Sequence, residues 1–475
     1  MTSNSLYSKK DIEILREKID DLTEQAEKIK NEVFEPDTDE FSKVMEIIRK
    51  YIIKKKRIVY GGTAYNEILK NKDKSLGIYK EDNRKDIEFY SHTPLEDLKE
   101  ICDILYENKF KYIQGSQAFH ESTYTIFVNF QGYCDISYIP KNIYQNMPVL
   151  EINNMIFSHP LWILVDILRQ FNDPLNSFWR LKDKTFERSM KLLSNFDLNL
   201  YNKNNYKIEK HSDLSVSLFN RIKDIKTLIF LGSLTTSFYI NRDKELDLSL
   251  IEVITDNFTK DFKKIYKIIN ELFSGIDMIA FNPFFQFRDK YVEFKKNGKS
   301  ILRLFRNNEV CNPYNTLFLE KDSIKIKKLS TNYSIKEKDF KENFDLIKIG
   351  TFDLNLNFLL IKRHHAYINR RDSYKKFENI MDELLKEKRK YLEKHNKTVL
   401  DDSPYRGFNI SCYGKTTNPI YSFRLKLRKK EVIMFKYDPS LKNKDYYELP
   451  KINFPNISGN ESKSILEKLL KEIEK

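Results

Sequence analysis

Glycine is scarce in this chain: only 12 of its 475 residues are glycine, well below the ordinary share of about 7 per cent. Two of the twelve, Gly61 and Gly62, stand side by side at the end of the apolar run 58–60. Glycine tolerates backbone conformations and close contacts that other residues resist. The pair therefore indicates a specific backbone requirement at this point of the chain.

Cysteine is also rare, and the four cysteines lie far apart at positions 102, 134, 311 and 412. No two of them have the spacing of a zinc site, and two lie inside apolar runs. This pattern predicts four reduced, buried thiols in a cytosol-like compartment.

Long hydrophobic runs are absent as well. No segment reaches membrane-spanning length, and the polar N-terminus does not resemble a signal peptide. We therefore expect no membrane association.

Basic residues exceed acidic ones, with 83 Lys and Arg against 69 Asp and Glu and a formal net charge of +14. Such a balance favours a polyanionic partner, and nucleic acid is the first candidate. The alternative is a genomic base composition that favours lysine, asparagine and isoleucine codons without any functional role. Aromatic residues are plentiful, and a chain of this length buries a real core in two or three domains.

The N-terminal segment 9–34 predicts a charged helix with apolar residues at the 3-4 spacing of a coiled coil. These residues are Ile12, Leu15, Ile19, Leu22, Ala26, Ile29 and Val33. Two interpretations stay open for this stripe: contact with the protein's own body, or contact with a second copy of the chain.

Two parts of the chain share one pattern of elements, which indicates an internal duplication. The first copy predicts a strand at 57–60, the glycine pair, a helix, a strand at 85–90, a helix at 94–108 and a hairpin that turns at 131–132. The second copy predicts the corresponding elements at 228–231, 232–233, 248–254, 258–273 and a hairpin that turns at Asn297-Gly298.

Three acidic residues of the first copy form a candidate metal site. Asp86 and Glu88 are two apart on a strand, so their side chains leave the same face. Asp135 lies on a hairpin strand that we expect beside them. Three converging carboxylates repel one another unless cations neutralise them, and oxygen ligands suit Mg²⁺ or Mn²⁺. We predict two such ions, which would activate a hydroxyl and stabilise a pyrophosphate leaving group.

The glycine pair supplies the other half of this candidate site. Gly61 and Gly62 would let backbone N–H groups at a helix start approach phosphates, and Thr63 would add a hydroxyl. A Gly-Gly turn or an Asp-x-Glu strand alone is a weak signal. Their occurrence in order with Asp135, all within 80 residues, is far more specific for binding a nucleoside triphosphate.

The second copy lacks this set of acids. Leu250 is predicted opposite Asp86, Ile301 opposite Asp135, and only Glu252 keeps an acid, opposite Glu88. One carboxylate cannot hold two metal ions. We therefore predict a scaffold or RNA-binding element without catalytic activity.

The first copy resembles the polymerase-beta-type nucleotidyltransferases. The long gap from Gly62 to Asp86, the lead-in 52–56 and the segment 135–140 are similar to the poly(A) polymerase catalytic subunits of large cytoplasmic DNA viruses. His159-Pro160, followed by a basic helical region, is also similar to that family, and this region contains Arg180, Lys182, Lys184 and Arg188. Many members have Asp where this chain has Glu88, which leaves metal choice and rate open.

The resemblance implies template-independent transfer of AMP from ATP to the 3′ hydroxyl of RNA. By the same resemblance Asp86 and Glu88 bind both metal ions, and Asp135 binds the ion that activates the hydroxyl. Gly61, Gly62 and Thr63 hold the β and γ phosphates. Lys182, Lys184 and Arg188 are candidates for ATP or RNA phosphates, with a solvated helix face as the alternative. The family also implies a processivity partner or self-association, and work in a virus factory or virion.

Two other functions stay open at this point. One is a different nucleotidyltransferase, which makes a cyclic dinucleotide or a 2′–5′ oligoadenylate, or adds CCA or uridines. The other is a non-enzymatic RNA-binding scaffold.

The predicted architecture is an α/β protein with mixed α+β sheets, in which a catalytic nucleotidyltransferase domain and a degenerate copy are joined by a helical segment. The predicted boundaries are 1–45 for an N-terminal helical segment, 46–145 for the catalytic domain, 146–225 for the helical segment, 226–445 for the degenerate domain and 446–475 for a tail with a helix. Both tryptophans, Trp162 and Trp179, are expected in the core.

Overall fold

The structure is a computed structural model. It describes residues 6–34, 38–79, 85–196, 213–241, 246–321, 323–330, 344–432, 434–436, 452 and 454–474. No helix within these ranges is both long enough and apolar enough to cross a bilayer.

The first half of the chain contains nine α-helices and seven strands among its described residues. Its elements are α1 Lys9–Phe34, α2 Thr38–Lys55, β1 Ile58–Tyr60, α3 Gly61–Lys72, β2 Ile87–Ser91, α4 Pro94–Glu107, β3 Gln114–Gln117, β4 Thr123–Val128, β5 Gln131–Tyr138, α5 Lys141–Tyr144, β6 Val149–Ile152, β7 Met155–Ser158, α6 Pro160–Phe171, α7 Pro174–Ser177, α8 Glu187–Asn195 and α9 Asp213–Ile222. Between α7 and α8 run a 3₁₀ turn, Phe178–Arg180, and a π-helical turn, Leu181–Phe186.

The second half repeats the alternation of strands and helices. Its elements are β8 Ile229–Leu231, α10 Gly232–Asn241, β9 Ile251–Thr255, α11 Phe258–Leu272, β10 Ile276–Phe281, β11 Tyr291–Lys296, β12 Lys299–Arg306, β13 Asn312–Glu320, β14 Ile326–Ser330, β15 Phe344–Gly350, α12 Phe352–Ile368, α13 Tyr374–Lys394, β16 Cys412–Tyr413, α14 Pro419–Arg428, β17 Met434–Lys436 and α15 Lys463–Glu474.

Two mixed sheets organise the molecule, and they confirm the predicted α/β class and the duplication. The first sheet has the order β17-β3-β4-β5-β2-β1-β7-β6, and the second has the order β10-β11-β12-β9-β8-β15-β13-β14. From β3 and from β10 onward, seven successive strands correspond, with the same parallel and antiparallel pairings. The domain boundaries themselves stay predictions.

The helices adjoin these sheets because of their apolar faces. Leu98, Ile101 and Leu105 recur at helical spacing along α4 and are fully buried against the sheet. The two halves meet where α6 and α12 pack together, and Trp162 of α6 contacts the ring of His364 edge-on.

Part of the segment 146–225, for which the sequence predicts helices, forms strands. The residues of β6 and β7 form an antiparallel hairpin, and β7 pairs parallel with β1, so this hairpin completes the first sheet. The two strands are four residues each, too short to show a clear alternation of apolar and polar residues.

The predicted turn at 131–132 is also displaced. Val128 pairs with Gln131, and the two turn residues are Asn129 and Phe130, both with positive φ. Gly132 lies inside β5, beside a register shift in β4. Glycine usually marks the turn of a hairpin, but here Asn129 takes the first left-handed position and the glycine accompanies the bulge.

Two expectations about single residues are wrong. Cys311 and Cys412 form a disulfide with a Cα–Cα distance of 5.1 Å, whereas Cys102 and Cys134 are buried free thiols as predicted. The fold brings together two cysteines 101 residues apart, which spacing rules cannot detect. Trp162 is buried, but Trp179 is 50% exposed.

Candidate active site

The candidate site lies on one face of the first sheet, where β2 and β5 run side by side next to the start of α3. Glu88 pairs in register with Asp135 across the parallel strands β2 and β5. Residues paired in register project to the same face of a sheet. Asp86 immediately precedes β2, two residues from Glu88. The fold therefore brings together the three predicted carboxylates.

The charges of these acids interact. Burial raises the pKa of Glu88 to about 7; a hydrogen bond from the Gly62 N–H opposes this shift, while the charges of Asp86, Asp135 and Asp166 add to it. Burial likewise raises the pKa of Asp135 to about 6, together with the charge of Asp86 and against a hydrogen bond from Thr125. The site thus accumulates negative charge that a cation would relieve.

The described residues contain no group of three or more acidic, histidine or cysteine side chains already arranged around a metal position. Glu88 Oε2 instead accepts a hydrogen bond of 3.0 Å from the Gly62 N–H, and Asp135 Oδ1 accepts one of 2.5 Å from Thr125 Oγ1. The candidate metal ligands are nevertheless all carboxylate oxygens, and burial, together with the charges of neighbouring acids, raises the pKa of Glu88 and Asp135. This donor set fits Mg²⁺ or Mn²⁺, which keep water and phosphate oxygens among their ligands.

The glycine pair meets two separate steric requirements. Gly61 has φ +67°, and a methyl group on it would lie 1.7 Å from Glu88 Oε2. A methyl group on Gly62 would lie 1.9 Å from the hydroxyl oxygen of Tyr79. The backbone at the start of α3 therefore lies directly against an acid and a phenol. Thr63 Oγ1 donates a hydrogen bond of 3.0 Å to the carbonyl of Asp86, which ties the turn to β2.

Positive side chains adjoin the same turn. Arg188, in the first turn of α8, places Nη2 3.6 Å from a methyl group built on Gly62 and 3.5 Å from the Tyr79 hydroxyl. Lys184 is exposed in the π-helical turn, and partial burial beside Arg180 and Arg188 lowers its pKa. Of Lys182 the structure describes only the backbone, in the same π-helical turn. Arg188 thus places a positive charge beside Gly62.

Sequence reasoning missed three residues near the carboxylates. Tyr79 closes over Gly62, and Asp166 on α6 is near enough to raise the pKa of Glu88. Tyr60 pairs in register with Glu88, and its hydroxyl lies 2.6 Å from Ser137 Oγ. Tyr60 had a detectable signal, since it precedes the glycine pair on a strand; Tyr79 lies in a loop and Asp166 in an apolar helix, where no pattern singles them out.

The second copy repeats the turn but not the acids. Gly232 has φ +65°, and a methyl group on it would lie 1.9 Å from Glu252 Oε2, as for Gly61 and Glu88. Glu252 pairs in register with Arg303, so Arg303 occupies the position of Asp135. The predicted correspondence with Ile301 is wrong, because it was counted from the displaced turn glycine of the first hairpin.

Glu252 is fully buried and paired with two cations. Lys362 Nζ lies 2.7 Å from both of its carboxylate oxygens, and Arg303 Nη1 lies 3.2 Å from Oε1. Burial raises the pKa of Glu252, but Lys362 and Arg303 more than offset this, so its pKa lies below the ordinary value. Protein cations therefore neutralise this acid, which supports the prediction that the second copy is not catalytic.

Comparison with known proteins shows which family this chain resembles. The family model “Poly(A) polymerase catalytic subunit” matches residues 46–177, and “APMV, Putative poly(A) polymerase, catalytic subunit, C-terminal” matches residues 188–472. A “Putative poly(A) polymerase catalytic subunit” of Acanthamoeba polyphaga mimivirus is 29% identical over 96% of this chain and 82% of its own length. A protein of the same description from African swine fever virus (strain Badajoz 1971 Vero-adapted) is 34% identical over 40% of this chain and 37% of its own length.

A solved structure agrees with these sequence matches. The crystal structure of the Megavirus polyadenylate synthase superposes with a TM-score of 0.81 at 28% identity, over 97% of this chain and 94% of that one. The resemblance stated from the residues is confirmed, and the alternative functions are not favoured. With both halves matched in sequence and the whole chain matched in fold, the protein belongs to the family of poly(A) polymerase catalytic subunits.

Proposed function

We propose that the Asp86, Glu88 and Asp135 face is the catalytic centre of this poly(A) polymerase. The 3′ hydroxyl of an RNA gives its proton to the Asp135 carboxylate, and its oxygen forms a bond to the α-phosphorus of ATP. The bond from that phosphorus to the bridging oxygen breaks, and pyrophosphate leaves. The observation that carries the proposal is the in-register pair of Glu88 and Asp135 beside a glycine turn and Asp86.

Each side chain has a role in this proposal. Asp86 and Glu88 would hold both divalent ions, and Asp135 would hold the ion nearest the attacking hydroxyl. Bound Mg²⁺ or Mn²⁺ supplies the charge that activates the hydroxyl and stabilises the leaving pyrophosphate. The backbone at Gly61 and Gly62 binds the β and γ phosphates, with Thr63 at the start of the helix.

The cations beside the turn complete the triphosphate site. Arg188 adjoins Gly62, and Lys184 lies one turn before it on the same helical run. Guanidinium groups match phosphate oxygens with two parallel hydrogen bonds. Lys182, in the same turn as Lys184, is a further phosphate ligand in this proposal.

Single-nucleotide extension of a short RNA tests the proposal. With Mg²⁺ or Mn²⁺ present, ATP should lengthen the RNA and the other three nucleotides should not. Asp135→Asn removes a ligand charge and should reduce extension at least a hundredfold. Asp277→Asn, an exposed acid on strand β10, is the matched control and should extend at the parent rate.

Each other outcome assigns a different function. Extension with UTP or CTP, or a product formed without RNA, would identify another nucleotidyltransferase. ATP binding without any product would identify a scaffold. If Asp135→Asn extended RNA at the parent rate, the proposed catalytic site would be wrong.

The proposal includes a homodimer through α1. Ile19, Leu22 and Ile29 of the predicted stripe are 51%, 47% and 60% exposed. The described part of the chain therefore leaves these three residues uncovered, whereas Ile12 and Leu15 at the start of the stripe are partly buried. The 3-4 spacing is that of a helix paired with a like helix, so a second copy of α1 is the proposed partner.

The proposed place of action is the cytoplasm of an infected cell, in a virus factory or carried in the virion. This follows from the matched relatives, which are proteins of a mimivirus and of African swine fever virus.

A further inference from the structure

Two large aromatic side chains are exposed on the short 3₁₀ turn Phe178–Arg180, which precedes the π-helical turn and α8. Phe178 is 66% exposed and Trp179 is 50% exposed. The guanidinium carbon of Arg180 lies 4.7 Å from the centre of the Trp179 ring. Exposed aromatic faces with adjoining arginine are the composition of single-stranded nucleic-acid sites.

A row of cations connects this turn to the candidate active site. Arg180, Lys184 and Arg188 follow one another at intervals of four residues through the π-helical turn into α8. Residues at this spacing lie on one side of a helix. Arg188 ends the row beside Gly62.

Helix α14 brings a second set of cations to this area. Asn176, two residues before Phe178, donates a hydrogen bond of 2.8 Å to Thr416 Oγ1, and α14 begins three residues after Thr416. After α14, strand β17 pairs with β3 at the edge of the first sheet. The segment containing α14 is thus attached on one side to α7, directly before the 3₁₀ turn, and on the other side to the edge of the first sheet.

The exposed face of α14 is basic. Tyr421 is 62% exposed, and five exposed cations lie on the helix and just after it: Arg424, Lys426, Arg428, Lys429 and Lys430. None of the five forms an ion pair with another residue that the structure describes. A concentration of positive charge without acidic partners favours a polyanion over a neutral protein surface.

We propose that Phe178, Trp179 and Arg180, together with α14, form the surface that holds the RNA primer upstream of its 3′ end. A base stacks on Trp179, and the RNA phosphates lie against Arg180 and the cations of α14. The proposal rests on the proposed function, because it assigns the primer side of the same reaction. It predicts that this surface binds RNA primers of any base sequence, since every base offers a ring face for stacking.

Tryptophan fluorescence tests this directly, because the chain has only two tryptophans and Trp162 is buried. Oligo(A) added without ATP or metal should quench the emission of Trp179 and protect it from acrylamide. Trp179→Phe should remove the signal yet keep extension, since phenylalanine also stacks. Trp179→Ala should raise the KM for the RNA primer about tenfold and leave the KM for ATP unchanged. Leu175→Ala, an exposed apolar residue on neighbouring α7, is the control and should change neither.

Three results would overturn the primer surface. Unchanged emission and an unchanged primer KM would mean that RNA does not contact Trp179. A raised KM for ATP alone would place Trp179 in the nucleotide site. A changed sedimentation coefficient of Trp179→Ala without a change in primer KM would identify a protein interface. Because quenching is measured without ATP, it stands or fails independently of AMP transfer.

Salt dependence tests the contribution of α14. For a single strand, the slope of log affinity against log salt changes by about 0.7 for each phosphate contact. Arg424→Gln with Lys426→Gln should therefore reduce the slope by about 1.4, whereas Lys299→Gln, at the exposed hairpin turn of the second sheet, should not change it. An unchanged slope in the α14 variant would exclude this helix from the RNA surface.

Discussion

At the scale of single residues, Glu88 and Glu252 show how one position of a duplicated fold acquires opposite properties. Each acid pairs in register with the last residue of the strand before a glycine turn: Glu88 pairs with Tyr60, and Glu252 pairs with Leu231. Glu88 faces other acids, and its pKa rises to about 7. Glu252 faces Lys362 and Arg303, and its pKa falls.

The raised pKa of Glu88 predicts a gain in stability from removing its charge. The folded protein keeps a proton on Glu88 up to about pH 7, which the unfolded chain loses near pH 4.5. This site's contribution to the free energy of unfolding therefore falls as pH rises through that window. Glu88→Gln should raise the free energy of unfolding in EDTA at pH 8, on the order of 3 kcal/mol, have little effect at pH 5, and abolish extension.

The same substitution in the second copy should have the opposite effect. Glu252→Gln leaves the buried Lys362 without its acid, whereas Arg303 keeps its ion pair with Glu293. Breaking a buried ion pair typically costs about 3–5 kcal/mol. Urea unfolding of both variants in EDTA measures the contrast. A gain in stability for Glu252→Gln at pH 8 would contradict this account of the second site.

The part of the candidate site that lies in one short stretch of sequence could be predicted, whereas the residues that only the fold brings to it could not. Asp86, Glu88, Gly61 and Gly62 lie in or beside one strand-turn motif, so local spacing revealed them. Arg188 was one of several basic candidates in a helical region, and only the fold shows that its guanidinium adjoins Gly62. Tyr79 contacts Gly62 across a loop, and no periodicity encodes such a contact.

At the scale of elements, the order of the strands could be predicted where the sequence has clear turn residues and a clear alternation of apolar and polar residues. The Asn297-Gly298 hairpin forms where it was predicted, because both residues suit left-handed conformations. The first hairpin turns two residues earlier than predicted, which moved the count in the second copy from Arg303 to Ile301. Counted from the observed turns, Asp135 and Arg303 each lie four residues into the returning strand, after Gln131 and Lys299.

Helix α1 gives the prediction that belongs to this scale. Ile19→Asp with Leu22→Asp places charges in the exposed stripe and should convert a dimer into monomers, as measured by sedimentation of the full chain. Glu17→Lys with Glu24→Lys changes two residues outside the stripe and should leave the dimer intact. A parent protein that sediments as a monomer at all concentrations would contradict the dimer.

At the scale of the whole molecule, long-range connections hold the two halves together, and these were invisible in the sequence. His364 Nε2 lies 3.0 Å from the Leu161 carbonyl, which joins α12 to α6. Near the C-terminus, Asn142 bonds to the Ser458 carbonyl at 3.0 Å, and Gly459 bonds to His365 at 2.8 Å. The residues before α15 thus contact both halves.

The disulfide predicts a redox-dependent stability of the second half. Cys311 and Cys412 close a loop of about 100 residues, for which chain entropy predicts a stabilisation of up to about 4–5 kcal/mol. Cys412→Ser should therefore lower the unfolding midpoint in oxidising buffer. Parent protein treated with a reductant should match that variant. Recovery of both cysteines as free thiols by non-reducing peptide mapping would contradict the bond.

The cations that neutralise Glu252 also restrict how this protein can evolve. Lys362 and Arg303 are covalent parts of the chain, so the second half needs no dissolved ion and should be indifferent to chelators. Return to a metal-binding centre would require acids in place of Leu250 and Arg303 and the loss of Lys362. Each intermediate would leave an unmatched charge in a dry interior. The energetics of folding would therefore preserve the proposed division of labour between the halves, even without selection on the chemistry itself.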